Sequence, residues 1–325
     1  MKTTKRIGLI LTSFVLASAV LMTSCKKKET DTPDTDTSAA TDNNMAEQAS
    51  NDAVNMAAQA SESGSVSYRQ GNENSILSSC ATVTVNTTTK VITVTFAGGM
   101  CNDGHIRSGS LMFDYSASGS NIMYRNPGFS CHITTSNYTI DGNSVSINKT
   151  VTNTTPAGFN PATTNLTWSV TGSVTIVKIG NGGTINWNCT RTHTLLNTSS
   201  YTLGGTAYGA AYTDQNTAIN WFPNIQNPTN NAAIIAVSGS VNGTTAKGES
   251  YTFNTTSPLV VNMNCTPDAN KPCHHPIVQG AFDFKPGNKG NRHVDFGAGT
   301  CDNTFQVTIT GTNGKTYGPY TITYQ

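Results

Sequence analysis

From about Ile76 onward, apolar and polar residues alternate along the chain in short runs. In the first two runs, 81–85 and 91–96, Val and Ile alternate with Thr. This period of two is typical of strands that bury one face, and the polar residues between the runs predict a hairpin. Further runs are separated by Gly, Asn and Pro, as expected for turns; they are 110–115, 130–140, 144–152, 166–179, 184–195, 234–241, 249–254, 259–264, 277–284, 292–296, 304–310 and 317–324.

Thirteen or more short strands with no convincing long helix predict an all-β fold of one or two antiparallel β-sandwich modules. A similarity between two segments of the chain favours two modules. Segments 96–103 and 296–303 each contain Phe, two small residues, Gly, one further residue and Cys, followed by Asn and Asp in either order. We therefore expect modules over 76–196 and 197–325.

The first 24 residues have the three-part form of a signal peptide. Basic residues are followed by an apolar run over 7–22, and small residues precede Cys25. Leu21 at minus four and Ser24 at minus one before Cys25 make the segment resemble the lipobox of bacterial lipoproteins. This resemblance implies that Cys25 is acylated and becomes the N-terminal residue. Several acyl chains would hold the chain firmly to a membrane.

Segment 25–75 is rich in Asp, Thr, Ser, Ala and Asn and has almost no large apolar residues. Such a composition favours a low-complexity, mostly disordered tether without a core of its own. Ala and Met recur at helical spacing across 44–63, which predicts a partly helical spacer within it.

Seven cysteines remain once Cys25 is acylated, and an oxidising envelope compartment favours disulfides between them. Cys80 and Cys101 bracket the first hairpin, and Cys131 with Cys189 is the next candidate pair. Cys301 has two candidate partners, Cys273 and Cys265. Spacing alone does not decide the connectivity.

Charge and motif content narrow the chemistry. The net charge is +1 and the folded part lacks a basic cluster, which argues against nucleic-acid binding. The densest group of ligand-type side chains matches no metal motif and no cofactor-binding motif is present, so we expect no metal and no cofactor; the group is Cys265, Cys273, His274, His275, Asp283, His293 and Asp295.

Two further hypotheses concern carboxylates and aromatic rings. Asp283 and Asp295 lie on adjacent predicted strands and could form the carboxyl pair of a glycoside hydrolase. Trp168 and Trp187 alternate with apolar residues and should point into the core. The long polar stretch 197–231 instead predicts either an exposed aromatic recognition loop or a covering flap; its ligand-binding candidates are Trp221, Phe222, Tyr208 and Tyr212.

The overall pattern resembles an uncharacterised family of Bacteroidota cell-envelope lipoproteins that has no assigned activity. The resemblance spans most of the mature chain, and its motifs are structural; they are the lipobox at Cys25, the Ala-rich segment 45–60, the run from Phe96 to Arg107, and segments 237–240, 258–265 and 295–303. It implies no catalytic residue.

The sequence thus predicts a non-catalytic outer-membrane lipoprotein, periplasmic or surface-exposed, with a binding or structural role. Its expected partners are the membrane, through Cys25, and a glycan or surface protein. The alternatives are a glycan-binding accessory of a polysaccharide uptake system and a secreted glycoside hydrolase.

Overall fold

The alternating runs form strands as predicted. The computed structural model describes residues 33–62, 80–120, 123–214, 217–221, 230–271 and 274–324. The chain divides into two units, Met1–Asp34 and Thr35–Gln325, and every element below belongs to the second. The predicted signal peptide and Cys25 lie outside the described residues.

Fifteen strands are present among the described residues, and they confirm the all-β prediction. Each is antiparallel to its sheet neighbours. The strands are β1 (Ala81–Asn86), β2 (Val91–Met100), β3 (Ile106–Asp114), β4 (Ser130–Ile140), β5 (Asn143–Asn153), β6 (Thr167–Val177), β7 (Thr184–Leu195), β8 (Tyr201–Leu203), β9 (Thr206–Tyr208), β10 (Ile234–Thr244), β11 (Ser250–Asn262), β12 (Ile277–Phe284), β13 (Asn291–Ala298), β14 (Thr304–Thr310) and β15 (Thr316–Thr323).

Thirteen of these strands form one continuous sheet in chain order, and β8 with β9 forms a small separate hairpin. The boundary predicted near residue 196 does not divide the sheet. β7 and β10 flank that boundary and pair along their length, from Leu195 opposite Ile235 to Asn186 opposite Thr244. The expectation of two separate modules over 76–196 and 197–325 is therefore wrong, because their strands share one hydrogen-bonded ladder.

The sheet encloses a 25-residue helix, α1 (Ser38–Glu62). Most of its side chains are buried. Residues from well-separated strands meet around it: Met45 of α1 shares one cavity with Ile176 of β6 and Phe305 of β14. None of the helices in the described part of the chain has the length and apolar character of a membrane-spanning segment.

The prediction that segment 25–75 is a tether is wrong for residues 38–62. Ala46, Ala53 and Ala58 are at most 1% exposed, and Met56 is equally buried. Small side chains let the helix backbone approach the sheet closely, so a core forms without large apolar residues. A segment with few bulky residues is expected to lack a core, but here buried Ala side chains form one.

The acidic side chains of this region are paired with cations from the sheet. Asp36 bonds Lys247 and Lys289, which lie in the β10–β11 and β12–β13 turns. Within α1 three further ion pairs follow: Asp42 with Lys178, Glu47 with Arg191 and Asp52 with Arg107. Because a buried carboxylate is costly without a partner, these pairs explain how so polar a helix is tolerated in the interior.

Two disulfides join strand ends. Cys80 is bonded to Cys101, as predicted, and Cys301 is bonded to Cys265, one of its two candidate partners. Cys273 lies outside the described residues. The predicted pair of Cys131 and Cys189 is wrong: both are buried free thiols. They lie on β4 and β7, and the two strands between them hold them farther apart than the about 4.4–6.8 Å that a disulfide spans between Cα atoms.

Candidate functional site

One face of α1 remains partly exposed along an opening in the sheet. Its partly exposed residues recur at intervals of three and four positions, which places them on one side of the helix; among them are Thr41, Met45, Gln48, Asp52 and Asn55. We call this stripe and the side chains that flank it the helix groove.

Two neighbouring cavities lie along the helix groove, with volumes of about 110 Å³ and about 30 Å³. Gln48, Asp52 and His105 line both, so the cavities meet at these three side chains. The larger cavity is smaller than the about 150 Å³ cavity that holds one benzene molecule. It therefore has room for a small molecule or for one end of a larger one.

The walls of the larger cavity differ in polarity. Ile176, Phe305 and Ile322 contribute apolar side chains from the sheet. Asn44 and Asp141 contribute polar groups, and Asp141 is 46% exposed, which opens that side to solvent. The cavity can thus bury an apolar group while hydrogen bonding to a polar one.

Arg107 organises the charges where the two cavities meet. Its fully buried guanidinium bonds Asp52 of the helix at 2.8 Å and Asp103 of the β2–β3 turn at 2.7 Å. Its Nε donates to the Tyr138 hydroxyl at 3.0 Å. Burial alone would lower the pKa of Arg107, but Tyr138, Asp103 and Asp52 raise it. The net effect is a pKa above the usual value of an arginine.

The two carboxylates on Arg107 differ in their proton affinity. Burial raises the pKa of Asp52 above its usual value, despite Arg107. Burial alone would also raise the pKa of Asp103, but its bonds with Arg107 outweigh this effect and lower it. Such opposed shifts occur in acid–base sites and in structural ion networks alike. The shared guanidinium here favours a network that fixes the helix against the β2–β3 turn.

Three histidines border the helix groove. His105 Nδ1 lies 2.6 Å from an Asp141 carboxylate oxygen. His274 Nε2 lies 2.8 Å from Asn303 Oδ1, and burial lowers the pKa of His274. His275 Nδ1 lies 2.9 Å from the carbonyl of Cys265, and burial lowers the pKa of His275 to about 4. The adjacent His274 and His275 thus have separate partners.

Two helix amides in the groove have unsatisfied oxygens. Asn44 lines the larger cavity and Asn51 the smaller one, and each is more than nine-tenths buried. The Oδ1 atoms of both lack a hydrogen-bond partner among the described residues. A buried acceptor without a donor costs about 1–3 kcal/mol, so both positions favour a ligand that supplies N–H or O–H groups.

The aromatic platform expected in 197–231 is wrong, because its described members are buried. Trp221 packs against Tyr124 and Trp168, with ring centroids 5.4 Å and 6.2 Å away. Tyr212 is stacked on Phe159. Tyr208 is buried in a second, smaller apolar cluster, and Phe222 lies outside the described residues. The described part of the stretch therefore covers the core, as the covering-flap alternative predicts.

Asp283 and Asp295 lie on the outer face of the sheet. Asp283 is opposite His293 in the β12–β13 ladder, and its Oδ1 lies 3.1 Å from His293 Nδ1. Asp295 accepts a hydrogen bond from the Gly297 amide. Neither carboxylate lines either cavity of the helix groove. The geometry gives no support to a hydrolase site at this pair.

The described residues hold no group of three or more Cys, His, Asp or Glu side chains placed to bind a metal ion. Of the ligand-type cluster predicted from sequence, Cys265 is in a disulfide, and His274 and His275 have the separate partners given above. His293 lies with Asp283 on the outer face.

Sequence reasoning missed the residues that form the groove: Asn44, Asn51 and Asp52. The signal available for them was the helical spacing of Ala and Met over 44–63, which places these polar residues between the buried positions. Asp103 and Arg107 belong to the Phe96–Arg107 run, which the sequence indicates only as a structural motif.

Comparisons of the chain with protein-family models, with curated proteins and with solved structures found no significant match.

Proposed function

We propose that this chain is a lipid-anchored cell-envelope protein whose folded body acts by binding a small ligand in the helix groove, rather than by catalysis. One observation carries the binding role: two buried amide oxygens, those of Asn44 and Asn51, line adjoining cavities without a donor. If residues 44 and 51 served packing alone, apolar side chains at these two positions would make the protein more stable.

The lining indicates the chemistry of the ligand. Acceptors predominate, because Asn44 shares the larger cavity with the Asp52 and Asp141 carboxyl groups, and Asn51 shares the smaller cavity with Asp52. The ligand should therefore carry amino or hydroxyl donors, together with an apolar part that fits beside Ile176 and Phe305. A glycan would have to use its hydroxyls in this groove, since the Trp221 ring is buried.

Binding can be tested by differential scanning fluorimetry with a panel of small amines, amino acids and monosaccharides. A ligand of the groove raises the melting temperature of the native chain. In Asn51→Leu, the ligand concentration needed for the same rise should be at least tenfold higher. Asn186→Ala, on the exposed outer face of β7, is the matched control and should respond like the native chain. A ligand response that survives Asn51→Leu and Asn44→Leu together would contradict the proposal.

The anchor rests on the lipobox-like segment that ends at Cys25. We place the protein at the outer membrane, on the periplasmic or the exposed side, with membership of the Bacteroidota lipoprotein family as part of the same proposal. Metabolic labelling with a palmitate analogue should mark the native chain and leave Cys25→Ser unlabelled. A native chain that takes up no label and remains in the aqueous phase of a detergent partition would refute the anchor.

A further inference from the structure

A patch of exposed apolar side chains lies at one rim of the sheet. Met100, Ile106, Val177 and Ile179 are between 47% and 66% exposed, and they are the large hydrophobic residues that stand out to solvent in the described chain. They belong to the ends of the β2–β3 and β6–β7 hairpins. We call these four residues the apolar rim.

The hairpin ends that carry the apolar rim are neighbours at one end of the sheet. Met100 is paired with Ile106 across β2 and β3. The carbonyl of Ile106 accepts a hydrogen bond from the Asp141 amide in the β4–β5 turn. On the other side of that turn, the Ile179 amide donates to Asn143 Oδ1. The three hairpin ends thus touch one after another, which gathers the exposed apolar residues at one rim, and apolar residues gathered in this way mark an interaction site more often than scattered ones do.

Lysines accompany the apolar rim. Lys178 stands between Val177 and Ile179, and its ammonium lies 3.0 Å from Asp42 at the start of α1. Asp42 also accepts a hydrogen bond from the Ala246 amide in the β10–β11 turn, which brings that turn alongside. The ammonium of Lys247 follows in the same turn and is 54% exposed. Each ammonium is paired with a carboxylate, so the apolar tips, rather than a net positive charge, are the feature that suits a lipid surface.

The chain enters the fold beside this rim. Asp36 bonds Lys247 in the β10–β11 turn, which adjoins the β6–β7 hairpin end, and Lys289 in the following β12–β13 turn. Asp36 follows Cys25 by eleven residues. Even fully extended, eleven residues span at most about 36–40 Å. An acyl group on Cys25 would therefore keep this end of the sheet close to the bilayer, in contrast to the long tether expected from the sequence.

We infer that the apolar rim docks on the lipid surface to which Cys25 anchors the chain. This inference rests on the proposed function for its orientation. The rim itself should bind lipid without the anchor, because its four side chains are already exposed in the folded body.

The test uses the chain from residue 25 onward carrying Cys25→Ser, so that neither an acyl group nor the apolar run 7–22 contributes, together with vesicles of phosphatidylethanolamine and phosphatidylglycerol. With Ile179→Trp added, tryptophan emission should shift to the blue when vesicles are present. Thr88→Trp, in the exposed turn between β1 and β2 at the other end of β2, is the matched control and should show no shift. A shift of equal size at both positions, or none at Ile179, would overturn the inference.

Substitution gives an independent measure. Ile106→Ser with Ile179→Ser should reduce co-sedimentation with the vesicles at least fivefold, while the melting temperature stays near that of the parent because both side chains are solvent-exposed. Undiminished co-sedimentation would overturn the inference. Failure of the anchor proposal would give a different result. The native chain would then take up no palmitate label, while the Cys25→Ser chain would still bind vesicles through the apolar rim.

Discussion

Lys149 Nζ lies 3.0 Å from Cys189 Sγ, although a complete strand separates the two residues. Lys149 is on β5 and Cys189 on β7, and both face Gly172 of β6 in the ladder register. Since Gly172 has no side chain, the lysine stem can cross β6 toward the thiol. The Lys149 ammonium also lies 4.5 Å from the centroid of the Trp187 ring. Burial lowers the pKa of Lys149 and raises the pKa of Cys189.

Gly172→Ala should destabilise the protein through a backbone clash. A Cβ at residue 172 would lie 2.2 Å from the Asn148 carbonyl oxygen, so β5 and β6 would have to separate. We expect the free energy of unfolding in urea to fall by about 1–3 kcal/mol more than in the control. Gly158→Ala is that control, because Gly158 also has a positive φ but an added Cβ meets nothing within 4 Å. Equal losses in the two variants would contradict the close approach of the β5 backbone to Gly172.

The free thiols give a second prediction. Cys131 and Cys189 are buried, and burial raises the pKa of Cys131 to about 12. The thiolate is the reactive form, so neither residue should react with iodoacetamide in the native protein. Both should react in urea without any reductant, whereas Cys80, Cys101, Cys265 and Cys301 should need reduction first. Peptide mass spectrometry distinguishes the two sets, and a Cys131–Cys189 cross-linked peptide would refute the assignment.

The strands could be predicted from the sequence, whereas the enclosure of a helix could not. Alternation of Val with Thr identifies the hairpin of β1 and β2 because one face is apolar. In β7 the inward residues include Cys189, Arg191 and His193, and the outward ones are Thr and Asn. In that half of the strand both faces are polar, and only the buried Ile185 and Trp187 indicate which face points inward.

The contacts that hold α1 depend on pairing across long sequence separations. Glu47 meets Arg191 across 144 residues, and Asp36 meets Lys289 across 253 residues. A segment rich in acidic residues has the composition of a disordered tether when the cations that pair with those residues are far away in the sequence. The groove at Asn44 and Asn51 was missed for the same reason, because it exists only once the sheet has closed on the helix.

The Glu47–Arg191 pair should contribute strongly to stability. Both side chains are at most 2% exposed. Glu47→Gln leaves the Arg191 guanidinium buried without a counter-charge, and we expect a loss of about 3–5 kcal/mol in urea unfolding. Lys247→Gln removes a partly exposed partner of Asp36 and should cost at most about 1 kcal/mol. Similar costs for the two variants would show that Glu47 is not in a dry interior.

Stability should fall on mild acidification. Burial lowers the pKa of His193 from 6.5 to about 3, with Lys149 and Arg191 contributing in the same direction. Between these two values the unfolded chain binds a proton that the native chain does not, so the free energy of unfolding decreases as pH falls from about 6.5 toward 3. The slope from this residue is at most about 1.4 kcal/mol per pH unit.

His193→Gln removes that titration and should flatten the slope over this range, although His275, whose pKa burial lowers to about 4, keeps part of it. His132→Gln, on the exposed outer face of β4, is the control for replacing a histidine outside the core. Denaturant titrations at several pH values measure both variants. An unchanged slope in His193→Gln would place that ring in contact with solvent.

Removing α1 should abolish folding of the sheet. A chain that begins at Ile76 contains every strand, yet it leaves Arg107 and Arg191 facing the interior without Asp52 and Glu47. The apolar inner face would also become exposed to water, because α1 is part of the same core. We expect this chain to be insoluble or to lack a cooperative thermal transition by circular dichroism. A chain that begins at Pro33 retains α1 and should melt cooperatively. If the chain from Ile76 folds with the same melting temperature, then α1 is a tether segment after all, and the helix groove has no structural basis.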